Sequence, residues 1–115
     1  MSCRNTSSTP VLLTSAIPGY MKIAVEHLEG SASGAFYFEN NGRRLAEMTY
    51  SRTNASMIII DHTDVDASLG GQGVGRQLLD ALVEWARITN TKVVPLCPFA
   101  NSQFNKDSSL RDVLV

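Results

Sequence analysis

The sequence has few cysteines, no long apolar run and no excess of either charge. Its two cysteines, Cys3 and Cys97, match neither a zinc-ligand spacing nor a dense disulfide framework. We therefore expect no metal site, and two reduced thiols as in a cytoplasmic protein. With a net charge of -1 and neither a basic run nor a basic amphipathic helix, nothing favours a nucleic-acid or membrane partner.

The first part of the chain lacks acidic residues and has little apolar surface. Its local apolar cluster, residues 11–13, is interrupted by Thr14 and Ser15, so it is too short for a signal peptide. We interpret residues 1–20 as a disordered extension, with a weak transit peptide as the alternative. A single domain is then expected at residues 21–115.

From residue 23 onward the sequence predicts short strands separated by turns. The expected strands are residues 23–28, 35–39, 45–50 and 57–61. Asn41-Gly42 lies between two of them and is a strong hairpin signal, because both residues tolerate a positive φ. Residues 57–60 are continuously apolar, as in a strand that is buried on both faces. Four strands in succession favour an antiparallel meander.

Residues 72–89 have the period of an amphipathic helix. Its apolar residues, which recur at three- and four-residue spacing, are Leu78, Leu79, Leu82, Val83, Trp85 and Ala86. The polar residues between them, Gln77 included, are expected on the other face of the helix. Asn90 is expected to end the helix, since asparagine tolerates the left-handed cap conformation.

A last strand is expected within residues 92–98, where the chain returns after the helix. Strand, loop, helix and strand then form a crossover unit. Pro95 and Pro98 are awkward inside a sheet, so this strand should lie at an edge or diverge from its neighbour and open a cleft. Residues 101–105 and 109–114 are expected to form short helical turns.

Four glycines occupy six positions between the apolar strand and the long helix. They are Gly70, Gly71, Gly73 and Gly75. Glycine adopts dihedrals that are closed to other residues and lets backbone N–H groups approach a ligand, while a helix N-terminus adds unpaired donors. The loop therefore predicts an anion site, with phosphate as the natural ligand. The alternative is a flexible connector that binds nothing.

With these elements the chain resembles the GNAT acyltransferases, in particular the small single-domain N-acetyltransferases, over residues 23–114. The segments that carry the resemblance are His62-Thr63-Asp64-Val65, Gly71-Gln72-Gly73-Val74-Gly75 and Val94-Pro95-Leu96-Cys97-Pro98-Phe99. The resemblance implies an α/β fold with a mixed, mostly antiparallel sheet, a central helix after the glycine-rich loop and a splayed final strand. It also implies acetyl-CoA as the cofactor and an amine, on a small molecule or a peptide, as the acceptor.

The resemblance further implies which residues bind coenzyme A. In the family, a loop of pattern Arg/Gln-x-x-Gly-x-Gly/Ala binds the pyrophosphate through backbone N–H groups. Gly73 and Gly75 match its small positions, but Gly70 replaces the Arg or Gln, so we expect weaker affinity. The cofactor-binding residues implied are Thr63, Asp64, Val65, Gly70, Gly71, Gln72, Gly73, Val74, Gly75 and Arg76. Arg76 is expected either to contact a phosphate or to be a solvated first-turn arginine.

Two titratable side chains, Cys97 and His62, are expected at the ends of the strands that flank the cleft. Cys97 is either a nucleophile that accepts the acetyl group or inert packing. His62 has the pKa range of a general base, although a histidine at a strand end is commonly structural. Tyr50 and Trp85 are expected to pack in the sheet and the core.

The sequence leaves a second function open, because a domain this small has little chain to spare for an acceptor pocket. The alternative to an N-acetyltransferase is a binding module that holds coenzyme A or an acyl-CoA without transferring the acyl group. A protein–protein adaptor is the third possibility.

Overall fold

A five-stranded sheet and two helices form the fold in a computed structural model, which describes residues 21–115. The interpretation of residues 1–20 as a disordered extension lies outside the described residues. The strands are β1 (Glu26–Glu29), β2 (Ser33–Asn40), β3 (Arg43–Asn54), β4 (Met57–Val65) and β5 (Lys92–Pro95). The helices are α1 (Val74–Thr89) and α2 (Pro98–Lys106), with 3-10 turns at Ala67–Leu69 and Ser108–Val113. None of the helices within residues 21–115 is long and apolar enough to cross a bilayer.

The sheet is a meander with one parallel strand added. Its strand order is β1-β2-β3-β4-β5, with antiparallel pairs up to β4 and a parallel β4–β5 pair that α1 connects. The β2–β3 hairpin turns at Asn41 and Gly42, whose φ angles of 53° and 76° suit the twist of the flanking strands. The expected fold class, a mostly antiparallel α/β sheet with a central helix, is confirmed.

The core lies between α1 and one face of the sheet. The buried residues of α1 include Leu78, Leu79, Leu82, Val83 and Ala86, as the helical period predicts. They pack with buried sheet residues such as Met48, Ile58 and Ile60. Each buried leucine, valine, isoleucine or methionine among them stabilises the fold by about 1.5–3 kcal/mol relative to an exposed one. Helix α1 ends where predicted, at Asn90, which has a φ of 56°.

Strand β4 differs from the expectation of two buried faces. Ile58 and Ile60 are fully buried, whereas Met57 and Ile59 are only partly so. The reason is that α1 covers the face bearing Ile58 and Ile60, so burial alternates along the strand. The strand also continues to Val65, beyond the predicted end.

The start of the domain differs as well. Strand β1 begins at Glu26 rather than at residue 23, and Ile23 is buried outside any strand. Ile23 instead packs in the core and donates its backbone N–H to Oε1 of Gln77 on α1, at 3.0 Å. Gln77, which the helical pattern placed on the outer face, is therefore buried, with 7% of its surface exposed. Helix α1 begins at Val74, two residues later than predicted.

Strand β5 diverges from β4 where its prolines begin, as predicted. Its pairing with β4 ends at Pro95, opposite Ile60, and the N–H of Cys97 then donates to the carbonyl of Ile60 at 3.0 Å. Helix α2 follows at once, with Pro98 in its first turn. The part of β4 beyond Ile60 is therefore left without β5 beside it.

Candidate active site

The glycine-rich loop adopts the backbone that its composition predicts, but not at every glycine. Gly71 and Gly73 are left-handed, with φ angles of 74° and 75°, a region that strongly favours glycine. Gly70 has an ordinary φ of −60°. Glycine is therefore needed for its conformation at Gly71 and Gly73, and not at Gly70, the position where the family has Arg or Gln.

Helix α1 begins directly behind this loop with its first amides uncapped. Gly73 is the N-cap residue, and it has no side chain that could accept a hydrogen bond from the first turn. The first turn of α1 contains no acidic residue either. Its N–H groups and the positive end of the helix dipole are thus available to an anion.

A cavity of about 470 Å³ opens in front of the loop and reaches the part of β4 that pairs with β3 but not with β5. Its lining consists of Thr63, Val65, Leu69, Gly70, Gly71, Gly73, Val74, Gly75, Arg76, Phe99 and Gln103. Eight of the residues expected to bind the cofactor are in this set. Asp64 and Gln72 are not in the lining. The walls of the cavity are therefore formed by the other loop residues and by the side of β4 that faces α1.

Gly75 keeps the cavity wall close to α2. A Cβ atom built on Gly75 would lie 2.9 Å from Cζ of Phe99, which is closer than real Cβ contacts. The absence of a side chain at Gly75 thus lets the Phe99 ring pack against the start of α1. Sequence reasoning missed Phe99 and Gln103 as lining residues. Phe99 ends one of the quoted family segments, whereas no pattern marked Gln103.

Arg76 lines the cavity but is already engaged by two carboxylates. Its Nε donates to Oδ1 of Asp80 at 2.8 Å, and its Nη2 to Oδ2 of Asp107 at 2.5 Å. These hydrogen bonds raise the pKa of Arg76 above its usual value. Hydrogen bonds from Ser109 and then from Arg76 lower the pKa of Asp107 to about 2. Arg76 is therefore a partly exposed first-turn arginine that is paired with two carboxylates.

Cys97 contacts Thr63 on the β4 side of the cavity, away from the glycine-rich loop. The Cys97 thiol donates a hydrogen bond to Oγ1 of Thr63 at 3.2 Å, and Cys97 is buried with 4% of its surface exposed. Cys97 is also the N-cap residue of α2, and its carbonyl accepts from the N–H of Asn101 at 2.9 Å. The thiol therefore lies beside a strand residue that lines the cavity.

His62 is exposed and lies on the opposite side of β4 from Thr63. Thr63 pairs with Met48, which is buried under α1, while His62 pairs with Thr49. Because side chains alternate along a strand, His62 faces away from α1. The hydrogen-bond partner of the Cys97 thiol is accordingly Thr63 and not His62.

The remaining aromatic candidates belong to the packing. Tyr50 is buried, and its hydroxyl lies 2.7 Å from Nε2 of His27. Trp85 is partly buried and its ring contacts the rings of His27, Phe36 and Tyr50. Within residues 21–115, no group of three or more His, Cys, Asp or Glu side chains is arranged to hold a metal ion.

The geometry fits a ligand that carries an anion at one end of an extended chain. The left-handed glycines and the uncapped start of α1 supply amide donors, and the cavity continues from them to Thr63. Beyond Ile60, the edge of β4 that β5 no longer covers offers backbone groups to an extended chain of amides, as a sheet edge does to a peptide. These features match the acyl-CoA site that the resemblance to the GNAT acyltransferases implies.

Comparisons with known proteins give the family. The sequence model of the GCN5-related N-acetyl-transferase family matches residues 35–113. A GCN5-like protein from Staphylococcus aureus with a proposed N-acetyltransferase function, solved by NMR, is 42% identical. That similarity covers 78% of this chain and 87% of the other, with a TM-score of 0.62. The chain belongs to the GCN5-related N-acetyltransferase (GNAT) family.

A second solved structure shares the fold at lower identity. It is the ribosomal-protein-alanine N-acetyltransferase from Brucella melitensis biovar Abortus 2308, which is 18% identical, with a TM-score of 0.56. The match covers 67% of this chain and 62% of that one. A search of the curated proteins found no match. Enzymes of this family use acetyl-CoA and act on amine acceptors, and the predicted enzyme class, an N-acetyltransferase, is confirmed.

Proposed function

We propose that this chain transfers an acetyl group from acetyl-CoA to an amine, and that its glycine-rich loop binds the pyrophosphate. The observation that carries the proposal is the uncapped start of α1 behind two left-handed glycines, open to a cavity of about 470 Å³. Backbone amides in that arrangement bind anions without a basic side chain. Gly70 in place of an Arg or Gln removes a side chain of the family pattern, but leaves these amides in place.

Arg76 is the charged residue best placed to assist the loop. It lines the cavity, and its ion pairs with Asp80 and Asp107 are at the surface, where such pairs contribute little net free energy. A phosphate could therefore replace Asp107 as a partner of the guanidinium at small cost. In this proposal Arg76 contributes to affinity and the loop amides provide most of it.

Cys97 is the proposed nucleophile. Its thiol sulfur would attack the thioester carbonyl, the bond between that carbonyl and the coenzyme A sulfur would break, and coenzyme A would leave as its thiol with the proton. The acceptor amine would then attack the acetyl-cysteine, forming the amide and restoring the Cys97 thiol. The contact with Thr63 and the position of Cys97 at the start of α2 support this route.

Direct transfer is the competing route, and it gives His62 a role. The amine would attack the thioester without an enzyme intermediate, and catalysis would depend on positioning and on a base. His62 is exposed on the side of β4 that faces away from α1, so it could accept a proton from an amine arriving on that side. It does not contact Cys97, and the two residues therefore belong to different routes.

Room for an acceptor favours transfer over a module that only binds coenzyme A. A second cavity, of about 480 Å³, is lined by Leu28, Glu29, Gly30, Ser33, Gly34, Ala35, Thr49, Tyr50 and Asp61. Asp61 directly follows Ile60, whose carbonyl holds the backbone of Cys97. The small domain thus has a second cavity, and the Asp61 carboxylate in its lining, which accepts from the Ser51 hydroxyl at 2.5 Å, suits an ammonium group.

The test is to mix the protein with acetyl-CoA and a panel of amines and to measure free thiol. Cys97→Ala should keep coenzyme A affinity and lose most turnover, because it removes the nucleophile with little change in bulk. Mass spectrometry of the unmodified protein should detect one acetyl group on Cys97 that hydroxylamine removes. Cys3→Ala is the matched control and should keep both activity and the adduct.

Two results would change the assignment. Full activity of Cys97→Ala would exclude the covalent route and leave direct transfer, with His62→Gln as the next variant to assay. Binding of coenzyme A without consumption of acetyl-CoA in the presence of any amine would favour the binding module.

A further inference from the structure

Gln77 is a buried polar side chain that forms hydrogen bonds with the glycine-rich loop and with the backbone of residues 21–23. Its Oε1 accepts from the N–H of Ile23 at 3.0 Å. Its Nε2 donates to the carbonyl of Gly73 at 3.3 Å and to the carbonyl of Met21. The N–H of Met21 in turn donates to the carbonyl of Gln72 at 2.8 Å. Gln77 thus joins α1, the first described residues and the loop.

These contacts hold two consecutive loop carbonyls from behind. The carbonyl of Gln72 is held by Met21, and that of Gly73 is held by the backbone and the side chain of Gln77. The peptide group is planar and trans, so each carbonyl points away from the N–H of the next residue. Because these two carbonyls are held on the side away from the cavity, the N–H groups of Gly73 and Val74 point toward the cavity, which both residues line.

We infer that Gln77 is the positioning residue of the pyrophosphate loop, acting together with the backbone of Met21. A left-handed glycine is free to rotate, and a free loop would lose entropy on binding. Gln77 removes that freedom before the ligand arrives and orients the donors of Gly73 and Val74. This inference rests on the proposed function, because it assigns Gln77 a role in coenzyme A affinity.

The other buried polar side chain within residues 21–115 provides a matched control. Thr91 is 3% exposed and lies beyond the C-terminal end of α1. Its hydroxyl pairs with that of Thr89 at 2.8 Å. Thr91→Val removes a partly buried side-chain hydrogen bond at the end of α1 that is far from the glycine-rich loop. Thr91→Val and the Gln77 variants should therefore both lose stability, and only the Gln77 variants should also lose coenzyme A affinity.

The experiment compares Gln77→Met, Gln77→Glu and Thr91→Val in the full chain. Gln77→Met removes all three side-chain hydrogen bonds at similar volume, and Gln77→Glu keeps the acceptor for Ile23 but removes the donors to Met21 and Gly73. Coenzyme A affinity is measured by calorimetry, and the melting temperature by circular dichroism. Turnover is measured with acetyl-CoA and with acetyl-pantetheine, which has no pyrophosphate.

Both Gln77 variants should bind coenzyme A about tenfold more weakly, since loop acceptors lose their partners. Their use of acetyl-pantetheine should equal that of the unchanged protein, and Thr91→Val should keep coenzyme A affinity at a comparable melting temperature. Unchanged coenzyme A affinity in a folded Gln77 variant would overturn the inference. An equal loss of turnover with acetyl-CoA and with acetyl-pantetheine would overturn it as well.

Backbone ¹⁵N relaxation separates this inference from the proposed function, because it measures the mobility of amides that face the cavity at the uncapped start of α1. In the Gln77 variants without coenzyme A, the amides of Gly73 and Val74 should have lower order parameters than in Thr91→Val. Lower order parameters in a protein that has no affinity for coenzyme A would support the positioning role and refute the proposed function. Unchanged order parameters would refute the positioning role itself.

Discussion

The hairpin at Asn41-Gly42 and the loop at Gly71–Gly73 both contain left-handed residues, but one connects two strands and the other lines a cavity. The hairpin residues have φ angles of 53° and 76°, are exposed, and connect two antiparallel strands. A Cβ atom on Gly42 would meet nothing within 4 Å, and the same holds for Gly71 in the loop. The loop glycines have nearly the same φ, but they precede an uncapped helix and open into a cavity. What distinguishes a site from a turn is therefore the surroundings of the glycine, and not its conformation.

The largest effect is expected at the loop. Gly73→Val forces a branched side chain into the left-handed region and places it where the pyrophosphate is proposed to bind. Coenzyme A affinity should fall at least tenfold, about 1.4 kcal/mol. Calorimetry on the folded variant is the measurement, and an unchanged affinity would show that the loop is a connector.

The matching substitution in the hairpin should separate strain from binding. Gly42→Val places the same side chain at nearly the same φ, so we expect a loss of stability of about 1–2 kcal/mol. Coenzyme A affinity should stay as in the unchanged protein, because the hairpin has no part in the cavity. If Gly42→Val weakened coenzyme A binding as much as Gly73→Val does, the loss at Gly73 would reflect strain alone.

A smaller effect is expected from the neighbour of the loop. Asp107→Asn removes one charged partner of Arg76 but keeps a side-chain oxygen for the N–H of Ser109. Arg76 is then freer to contact a phosphate, and coenzyme A affinity should rise by no more than about fivefold, as expected for a surface ion pair. Titrations at low and high salt test this, since screening should abolish the difference. A fall in affinity would mean that Asp107 holds Arg76 in its binding position.

No effect is expected from removing residues 1–20. Their composition offers too little apolar surface to offset the entropy of ordering them. A protein beginning at Met21 should keep its melting temperature and its coenzyme A affinity, whereas one beginning at Val25 loses the backbone that holds Gln72 and Gln77. A clear loss on removal of residues 1–20 alone would mean that this segment packs on the domain.

The features that could be predicted from the sequence are those that depend on near neighbours. The turn at Asn41-Gly42, the cap at Asn90 and the period of α1 each reflect the conformational preference of a few adjacent residues. The glycine loop belongs to the same class. Such preferences depend on residues that are close in the sequence, so a sequence pattern is enough to predict them.

The features that were missed depend on residues far apart in the chain. Gln77 is buried because a backbone group 54 residues earlier reaches it, and Arg76 is paired with an aspartate 31 residues later. Helical periodicity assigned Gln77 to the outer face because it reports the polarity of a position and not what covers it. The second face of β4 was misjudged for the same reason, since four apolar residues in a row do not reveal that Met57 and Ile59 remain partly exposed.

The meander also determines the order in which the molecule is expected to fold. Every antiparallel pair joins strands that are consecutive in the chain, so short loops close first and at low entropic cost. The parallel β4–β5 pair must wait until the loop and all of α1 have been brought back across the sheet. The cavity lies where these two strands part, and α2 completes its wall. We therefore expect the part of the domain that contains the proposed site to form in the last step of folding, on antiparallel strands that are already paired.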